Sequence, residues 1–268
     1  MRTVRHSQHI KQQKRKSKWF AFIGFLILSS AMFLAMLPNA LLFAYVAMIG
    51  GFILFNVGMQ GIGRWTRNPR NDQILDVRMK NLSDQVTLIH YAKLTDDRGK
   101  SKVVDHLAVY NGGVLVLNGK EIDGQIEQKK SVWRKKGGLI RKMFAFSGPQ
   151  LGNPSFENDR LVPLVENWLA ANNLEVDVTA ATVFLHPRAE LTIEEPDYPV
   201  LHAEEIPEFI HDLEIDESFT AEEKAHLVDL LSAGEGVETP EKERISRRPR
   251  PVRRVSAPKP TQVKRRSA

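Results

Sequence analysis

The sequence predicts a mixed α/β protein in which an N-terminal transmembrane helical hairpin precedes a cytosolic domain and a disordered basic tail. Three observations support this fold class. Residues 19–63 contain no Asp, Glu, Lys or Arg. Segments with strand-like and helix-like apolar patterns follow one another over residues 71–231. Residues 234–268 are dominated by Pro, Arg, Lys and Ser and show no apolar period, as is typical of disorder.

The uncharged run is too long for one membrane span of about 20 residues, and Pro38-Asn39 interrupt it. It therefore predicts two spans, at about residues 20–37 and 41–59. Lys and Arg flank both ends of the run while the turn is neutral, so the positive-inside rule places both termini and the main domain in the cytoplasm. A cleaved signal peptide is the alternative interpretation of the first segment. The Gly50-Gly51 and Gly58-x-x-Gly61 patterns are candidates for close packing between the two helices.

The net charge of +6 is distributed unevenly, and its distribution divides the chain. We expect a basic cytoplasmic N-terminus at 1–18, the hairpin at 19–63, one domain at 64–233 and the tail at 234–268. Within the domain, residues 64–150 carry +8 and residues 151–240 carry −18. The absence of cysteine excludes disulfide scaffolds, Cys-ligated zinc sites and thiol enzymes.

The domain is expected to begin with a helix, continue through several strands and end in helices. We expect helices at 71–84, 153–171, 207–213 and 220–231, and strands at 86–94, 103–110, 114–117, 124–127, 131–135 and 176–185. Pro163 should kink or split the helix that contains it. Thr220 followed by Glu223 predicts a capping box.

One block of the domain carries a recognisable pattern. The strand VVDHLAVY at 103–110 is followed by Asn-Gly-Gly, by the strand VLVLNGK ending at 120, and by Gly-x-Ile at 124–126. This block resembles the nuclease-related domain (NERD) family, whose members show an Ile-Asp-His strand, a Gly-Gly-Val turn, a Glu-x-Lys strand end and a Gly-x-Ile. The resemblance covers about residues 71–231 and implies a restriction-endonuclease-like fold.

The resemblance also implies a chemistry, in which two carboxylates at adjacent strand ends hold Mg²⁺ and a lysine helps to activate water. Carried over by position, Asp105 is a catalytic and metal-binding residue and Lys120 is the catalytic lysine. Asp72 stands where the family has a Glu in its first helix. Asn118 stands where the family has its second metal-binding Glu, and Glu127 on the next strand is the residue that could partly compensate.

The Asn118 position is the main departure from the family pattern, because an amide is a weaker Mg²⁺ ligand than a carboxylate. A degenerate site is therefore favoured over an active one, and Mg²⁺ is the expected cofactor only of an active site. Asp105 and Lys120 also fit ordinary structural ion pairs. His106 is interpreted as a satisfied histidine beside the site rather than as a general base.

A basic, aromatic-containing stretch follows the block, and it is a candidate for nucleic-acid or lipid contact. Its members are Lys129, Lys130, Trp133, Arg134, Lys135, Lys136, Arg141 and Lys142. Cations interleaved with aromatic rings suit phosphates and bases, and they suit an anionic membrane surface equally well. A solvated loop is the third interpretation, and the sequence leaves all three open.

Two functions follow from these observations. The first is a membrane-anchored NERD-like protein that binds nucleic acid at the cytoplasmic face or is a degenerate Mg²⁺-dependent nuclease there. The second is a non-enzymatic, membrane-tethered domain that recruits a protein partner through its acidic C-terminal half. The lipid bilayer is an expected partner in both.

Overall fold

The fold is known from a computed structural model, which describes residues 1–83, 85–95, 99–136, 150–213, 219–233 and 237–238. Two long apolar helices near the N-terminus lead into a domain of two β-sheets and four shorter helices. The predicted mixed α/β class is therefore confirmed. The centre of the predicted turn at 95–100, most of the basic loop at 137–152 and most of the predicted tail lie outside the described residues.

The two long helices form an antiparallel hairpin. Helix α1 (Ser7–Leu34) is joined by a 3₁₀ turn at Pro38–Ala40 to helix α2 (Leu41–Thr66). By length and composition, both are apolar enough to cross a membrane. Each is also longer than the predicted span, because each continues for several turns toward the domain.

Glycine lets the two helices of the hairpin approach closely. A Cβ atom at Gly24 would lie 2.3 Å from the backbone nitrogen of Phe55, and one at Gly58 would lie 2.2 Å from that of Ala21. Gly51 and Gly61 lie in the same interface, whereas a Cβ at Gly50 would meet nothing within 4 Å. Three of the four glycines in the predicted packing patterns are thus interface residues, and Gly50 is not.

A seven-stranded sheet forms the centre of the domain, with strand order β10-β1-β2-β3-β4-β7-β9. The strands of this sheet, in chain order, are β1 (Arg2–Arg5), β2 (Thr87–Thr95), β3 (Ser101–Tyr110), β4 (Gly113–Lys120), β7 (Val178–Phe184), β9 (Val200–His202) and β10 (Val237–Glu238). Strand β4 is paired on both edges, with β3 antiparallel and with β7 parallel. Its continuous apolar sequence reflects this central position.

A second, three-stranded sheet has the order β6-β5-β8. Strand β5 (Gly124–Lys129) pairs antiparallel with β6 (Val132–Lys135) and parallel with β8 (Ala189–Glu194). The sequence predicted β5 and β6 but missed β8, which alternates polar and apolar residues and becomes a strand only by pairing with distant β5.

Helices cover both faces of the seven-stranded sheet. On one face, α4 (Pro154–Ala171) and α6 (Ala221–Ser232) contribute to a core that includes Leu169 and Leu227. On the other face, α3 (Asn71–Met79) and α5 (Ile206–Asp212) contribute to a core that includes Leu75 and Ile206. Burying both faces of the sheet in this way explains why its central strands are almost entirely apolar.

Three local expectations need correction. The first helix of the domain ends at Met79 and does not reach residue 84. Of the two effects expected of Pro163, a kink or a split, the split is wrong, because α4 is continuous from Pro154 to Ala171. The N-terminus, expected to be only a basic cytoplasmic segment, contributes strand β1 to the sheet. The described part of the predicted tail, Val237–Glu238, pairs with that strand.

Strand β1 connects the hairpin to the domain in an unusual way. It runs parallel to β2, with Val4 opposite Ile89, and the hairpin is the connection between these two neighbouring strands. Both ends of the hairpin therefore lie next to the same sheet. The sequence did not reveal β1 because its four residues include two arginines, and its pairing partner follows about 80 residues later.

Candidate functional site

A cleft of about 420 Å³ lies between β3, β4 and α4. Its polar and charged lining residues are Lys102, Asp105, Asn118, Glu157 and Arg160. At the cleft, the β3–β4 ladder ends with the pair Leu107–Val116. Asp105 and Asn118 lie two residues beyond this pair, on the two facing strands. The sheet thus brings together two of the site residues that the sequence predicted.

Asp105 is held by an arginine from the hairpin. Its Oδ2 atom lies 2.6 Å from Nη2 of Arg64, and both side chains are about half exposed. Arg64 lies in the last turn of α2, and its guanidinium lies over the ring of Trp65 at 5.0 Å. The carboxylate predicted to bind a metal is therefore already paired with a cation.

Asn118 is fixed by hydrogen bonds in the interior. Its Nδ2 atom donates to Oδ1 of Asn158 at 3.0 Å, and Nδ2 of Asn158 donates to Oγ1 of Thr182 at 3.2 Å. All three residues are buried. The asparagine therefore joins β4, α4 and β7 in a polar chain.

Lys120 and Glu157 form a second internal ion pair beside the cleft. The lysine Nζ lies 2.7 Å from Oε1 and 2.6 Å from Oε2 of the glutamate. Glu157 lies in the first turn of α4, where the side chain of Asn153 caps the helix by accepting a hydrogen bond from the amide of Phe156. Lys120 is largely buried, so this pair replaces the solvation that the ammonium group loses.

Glu157 is the site residue that the sequence reasoning missed. The Asn-Pro helix start was recognised and placed the glutamate in the first turn of a helix. Its distance from Lys120 depends on how α4 packs across the sheet, which no local pattern states. The available sequence signal for this residue was its position in the first helical turn, close to the expected N-cap.

Asp72 lies in a buried cluster at the start of α3, where the hydroxyl group of Tyr91 on β2 lies 3.4 Å from its Oδ1. Arg70 binds it through two nitrogen atoms at 3.0 and 2.9 Å, and Nε of Arg5 lies 2.9 Å from Oδ2. Burial alone would raise the pKa of Asp72, but the hydrogen bond from Arg70 and nearby positive charge hold that pKa below its ordinary value. The lining of the cleft does not include this residue.

Glu127 does not line the cleft either. It is on β5 of the second sheet, where it forms an ion pair with Lys136. Its carboxylate is therefore paired with a cation of the chain, as those of Asp105 and Glu157 are.

The predicted basic contact stretch is largely engaged in internal contacts. Lys129 pairs with Glu194 at 3.1 Å, and Lys135 pairs with Asp123 at 3.0 Å. The indole of Trp133 donates to Ser155 at 3.1 Å, and its ring stacks with that of Phe184. A ring packed in this way is a poor platform for a base. Lys130 and Arg134 show no ion pair within the described residues, and Arg141 and Lys142 lie outside them.

His106 belongs to a buried hydrogen-bonded chain. Its Nδ1 lies 2.8 Å from Nδ1 of His90, whose Nε2 lies 3.0 Å from Oδ1 of Asp76. Burial, together with the neighbouring His90, lowers the pKa of His106 to about 3. A histidine neutral over most of the pH range and hydrogen-bonded inside the domain fits the expected satisfied histidine.

The donor set does not fit a Mg²⁺ site of the two-carboxylate type. Mg²⁺ prefers several oxygen ligands in octahedral geometry, usually including carboxylates. Asp105 and Glu157 are each neutralised by a cation of the chain, and Asn118 brings no charge. Within the described part of the chain, no three His, Cys, Asp or Glu side chains are grouped so that they could hold a metal ion.

Comparison with known proteins relates part of the chain to one family. The model of the nuclease-related domain matches residues 69–185. The matched range contains Asp105, Asn118, Lys120 and Glu157, whereas Arg64 lies before it. No curated protein and no solved structure gives a significant match to the chain.

Proposed function

Because residues 69–185 of this chain are a nuclease-related domain, we propose that its cleft binds the phosphate backbone of nucleic acid without cutting it. The match supports the assignment of residues 69–185 to the nuclease-related domain family. Binding and the absence of cleavage are our proposal, and they rest on the charges of the cleft.

The observation that carries this proposal is the excess of cations at the cleft. Lys102 and Arg160 line it, and both are exposed. Arg64 and Lys120 neutralise the two lining carboxylates, so the described charged groups of the site sum to about two positive charges by formal count. A positively charged groove is the usual electrostatic basis for binding a polyphosphate chain.

The absence of cleavage follows from the same contacts. Nucleases of this kind depend on a divalent metal, which stabilises charge on the phosphate and activates water. The donor set described above offers such a metal no free carboxylate. We therefore expect phosphate recognition to remain where the metal chemistry is missing.

Fluorescence anisotropy with labelled DNA and RNA oligonucleotides tests the binding, with the full chain in detergent micelles. Lys102→Ala combined with Arg160→Ala should weaken binding to either polymer and reduce the salt slope by about one to two phosphate contacts. Lys80→Ala removes an exposed lysine at the end of α3 and is the matched control. Equal binding by the wild type, the control and the double variant would contradict a binding role for the cleft.

A cleavage assay tests the second half of the proposal. Plasmid and single-stranded DNA are incubated with the purified chain in Mg²⁺ or Mn²⁺. We expect no cutting by the wild type. Metal-dependent cutting that disappears in Asp105→Ala and Lys120→Ala would show that the domain is an active nuclease.

We further propose that the hairpin anchors the protein in the inner cell membrane with the domain in the cytoplasm. In support, both helices are sufficiently apolar, and large apolar side chains such as Phe22, Leu42 and Ile53 are exposed along them. Helix α1 has 28 residues and so spans about 42 Å, which exceeds a hydrocarbon core of about 30 Å. Its basic first turns, next to the domain, would then lie outside the lipid.

The lack of native cysteine allows a clean test of this orientation. Asn39→Cys places a thiol in the turn of the hairpin, and Lys80→Cys places one on the domain. A membrane-impermeant maleimide should label the first variant in intact bacterial cells and the second only after permeabilisation. Labelling of Lys80→Cys in intact cells would contradict a cytoplasmic domain.

A further inference from the structure

We infer that one face of helix α1 binds the headgroups of anionic phospholipids, and that Lys14, Arg15 and Lys18 are the residues that contact the lipid phosphate. This inference rests on the proposed anchoring of the protein by its hairpin. It gives that anchor a lipid preference, and it assigns a binding role to cations that lie outside both the cleft and the matched domain.

The first support is the spacing of the cations along α1. Four of them follow one another at i, i+3, i+4 and i+7, which places them on one face of the helix. These four residues are Lys11, Lys14, Arg15 and Lys18. All four are exposed, whereas Ile10 and Ser17, on another face, are buried against the domain and α2. The basic face therefore remains open along about two helical turns.

The second support is a difference between the two ends of the hairpin. At the end of α2, Arg64 pairs with Asp105, and Arg67 pairs with Glu121. The cations next to α2 are therefore neutralised by carboxylates of the domain. Within the described residues, none of the four cations on the α1 face has a carboxylate partner. Their charge is consequently left for an anion from outside the domain.

The third support is the depth of these cations along the helix. The uncharged part of the chain begins at Trp19, directly after Lys18. At 1.5 Å per residue, Lys14 lies about 6 Å outside this boundary. The headgroup region of one leaflet is about 5–8 Å thick, which is half the difference between the whole bilayer and its hydrocarbon core. Lys14, Arg15 and Lys18 therefore lie at the level of the lipid phosphates, and Lys11 lies closer to the domain.

The fourth support is the continuation of the same face into the apolar part of α1. Phe22 and Phe25 follow Lys18 at i+4 and i+7, and their exposed fractions are 55% and 56%. A phospholipid has the same order of chemistry, because its charged phosphate is followed by acyl chains. A free phosphate ion would pair with the cations but would leave both rings uncovered. The whole face therefore matches an anionic lipid.

Electron paramagnetic resonance of spin-labelled lipids tests this inference with the full chain in phosphatidylcholine vesicles. The label is carried either by phosphatidylglycerol or by phosphatidylcholine, and its motionally restricted fraction gives the relative affinity for each lipid. Lys14→Gln combined with Lys18→Gln removes two cations from the basic face.

The matched control is Lys16→Gln combined with Lys80→Gln, which removes the same charge. Lys16 lies on α1 at nearly the same depth, but residues two apart in a helix differ in direction by about 200°. Lys80 is an exposed residue at the end of α3. All the substituted side chains are exposed, so both double variants should enter the vesicles as the wild type does.

We expect the wild type to prefer phosphatidylglycerol by about fivefold, which is the usual effect of one well-placed cation at an anionic lipid surface. The Lys14/Lys18 variant should lose most of this preference, and the control should keep it. Equal losses in the two variants would contradict the assignment to this face, because the number of charges alone would then decide.

The outcomes separate this inference from the proposed anchoring. A wild type that does not float with the vesicles overturns the anchoring and, with it, the inference. A wild type that floats with the vesicles but shows equal affinity for both lipids overturns the inference alone.

An oligonucleotide measurement separates lipid from nucleic acid as the partner of the basic face. In neutral detergent micelles, the Lys14/Lys18 variant should bind a labelled oligonucleotide within about twofold of the wild type, because neither lysine lines the cleft. A larger loss of oligonucleotide affinity, without a lipid preference in the wild type, would overturn the inference in favour of nucleic acid.

Discussion

The role of Glu157 depends on a partner that is distant in the sequence. It lies outside the motif by which the site can be recognised in the sequence, yet it supplies the second carboxylate of the cleft. Asn118, which does lie in the motif, is used instead to connect β4 with α4. The second carboxylate of the cleft therefore comes from a helix and not from β4, and it is bound by Lys120.

The Lys120–Glu157 pair gives a prediction for stability. Glu157→Gln removes the charge partner of a largely buried lysine, so the free energy of unfolding should fall by about 1–3 kcal/mol. Urea unfolding followed by near-ultraviolet circular dichroism measures the change. Glu166→Gln changes an exposed carboxylate on the same helix and should have little effect. Equal stability of the two variants would show that the pair contributes nothing.

His106 gives a prediction for pH dependence. Its folded pKa of about 3 lies below the ordinary value of 6.5, so between these values the unfolded chain binds a proton that the folded domain does not. Stability attributable to this residue should therefore be unchanged above pH 6.5 and fall by about 1.4 kcal/mol per pH unit below it. Urea midpoints measured from pH 7.5 to 4.5 check this slope.

His106→Gln is the comparison variant for the pH series. It removes the titrating group while the neighbouring Asp76 and His90 remain. Below pH 6.5, the free energy of unfolding of this variant should fall less steeply with decreasing pH. The difference in slope should correspond to about one bound proton. The same slope in both proteins would mean that His106 is not the residue responsible.

At the scale of the elements, the hairpin was predicted from composition and its packing from glycine. The uncharged run and Pro38 identify two helices, and the structure contains them. Which glycines lie between them depends on the rotation of each helix about its axis. That rotation is fixed by contacts such as Gly58 against Ala21 and is not visible in the glycine pattern.

Two glycine substitutions test this interface against each other. Gly58→Leu should force the helices apart and lower the thermal midpoint of the hairpin in detergent, because even its Cβ would overlap the backbone of Ala21. Gly50→Leu introduces the same side chain where no atom lies within 4 Å. It should leave the midpoint close to that of the wild type. Equal loss in both variants would exclude close packing as the cause.

The capping box of α6 was predicted from Thr220 and Glu223, and the structure confirms it. The amide of Glu223 donates to Oγ1 of Thr220 at 3.2 Å, and the amide of Thr220 donates to Oε2 of Glu223 at 2.9 Å. This element needed only local information, because both partners lie within one helical turn.

Thr220→Ala should therefore destabilise the domain by about 1 kcal/mol, the usual cost of losing an N-cap. Urea unfolding measures the change. Thr220→Ser keeps the hydroxyl group and should retain most of the stability. A serine variant as unstable as the alanine variant would contradict the capping role.

At the scale of the whole molecule, the hairpin and the domain share one sheet. The chain enters α1 from β1 and returns from α2, through α3, to β2, the parallel neighbour of β1. The two ends of the hairpin are therefore held together by the hydrogen bonds between β1 and β2. Removal of the N-terminal segment as a signal peptide would remove a strand of the sheet.

Strand β1 should accordingly be essential for the fold of the domain. Val4 is fully buried in the core shared with α4 and α6, so Val4→Asp should destabilise the domain by more than about 3 kcal/mol. Limited proteolysis of the full chain in detergent should then cleave the domain rapidly. Arg2→Gln changes an exposed side chain of the same strand and should remain resistant. Resistance of both variants would mean that β1 is dispensable.

The sequence by itself determined the features that depend on neighbouring residues. These are the two apolar helices, most strands of the main sheet, the capped helix α6 and the Asp-to-Lys block that identifies the family. The tertiary structure alone decided the contacts between distant segments: strand β1 beside β2, Glu157 on Lys120 and Arg64 on Asp105. The physical reason is that composition and periodicity report a residue's local conformation and burial. The charge partner of a site residue depends instead on how whole elements pack, and at this site that packing joins both carboxylates of the cleft to cations of the chain.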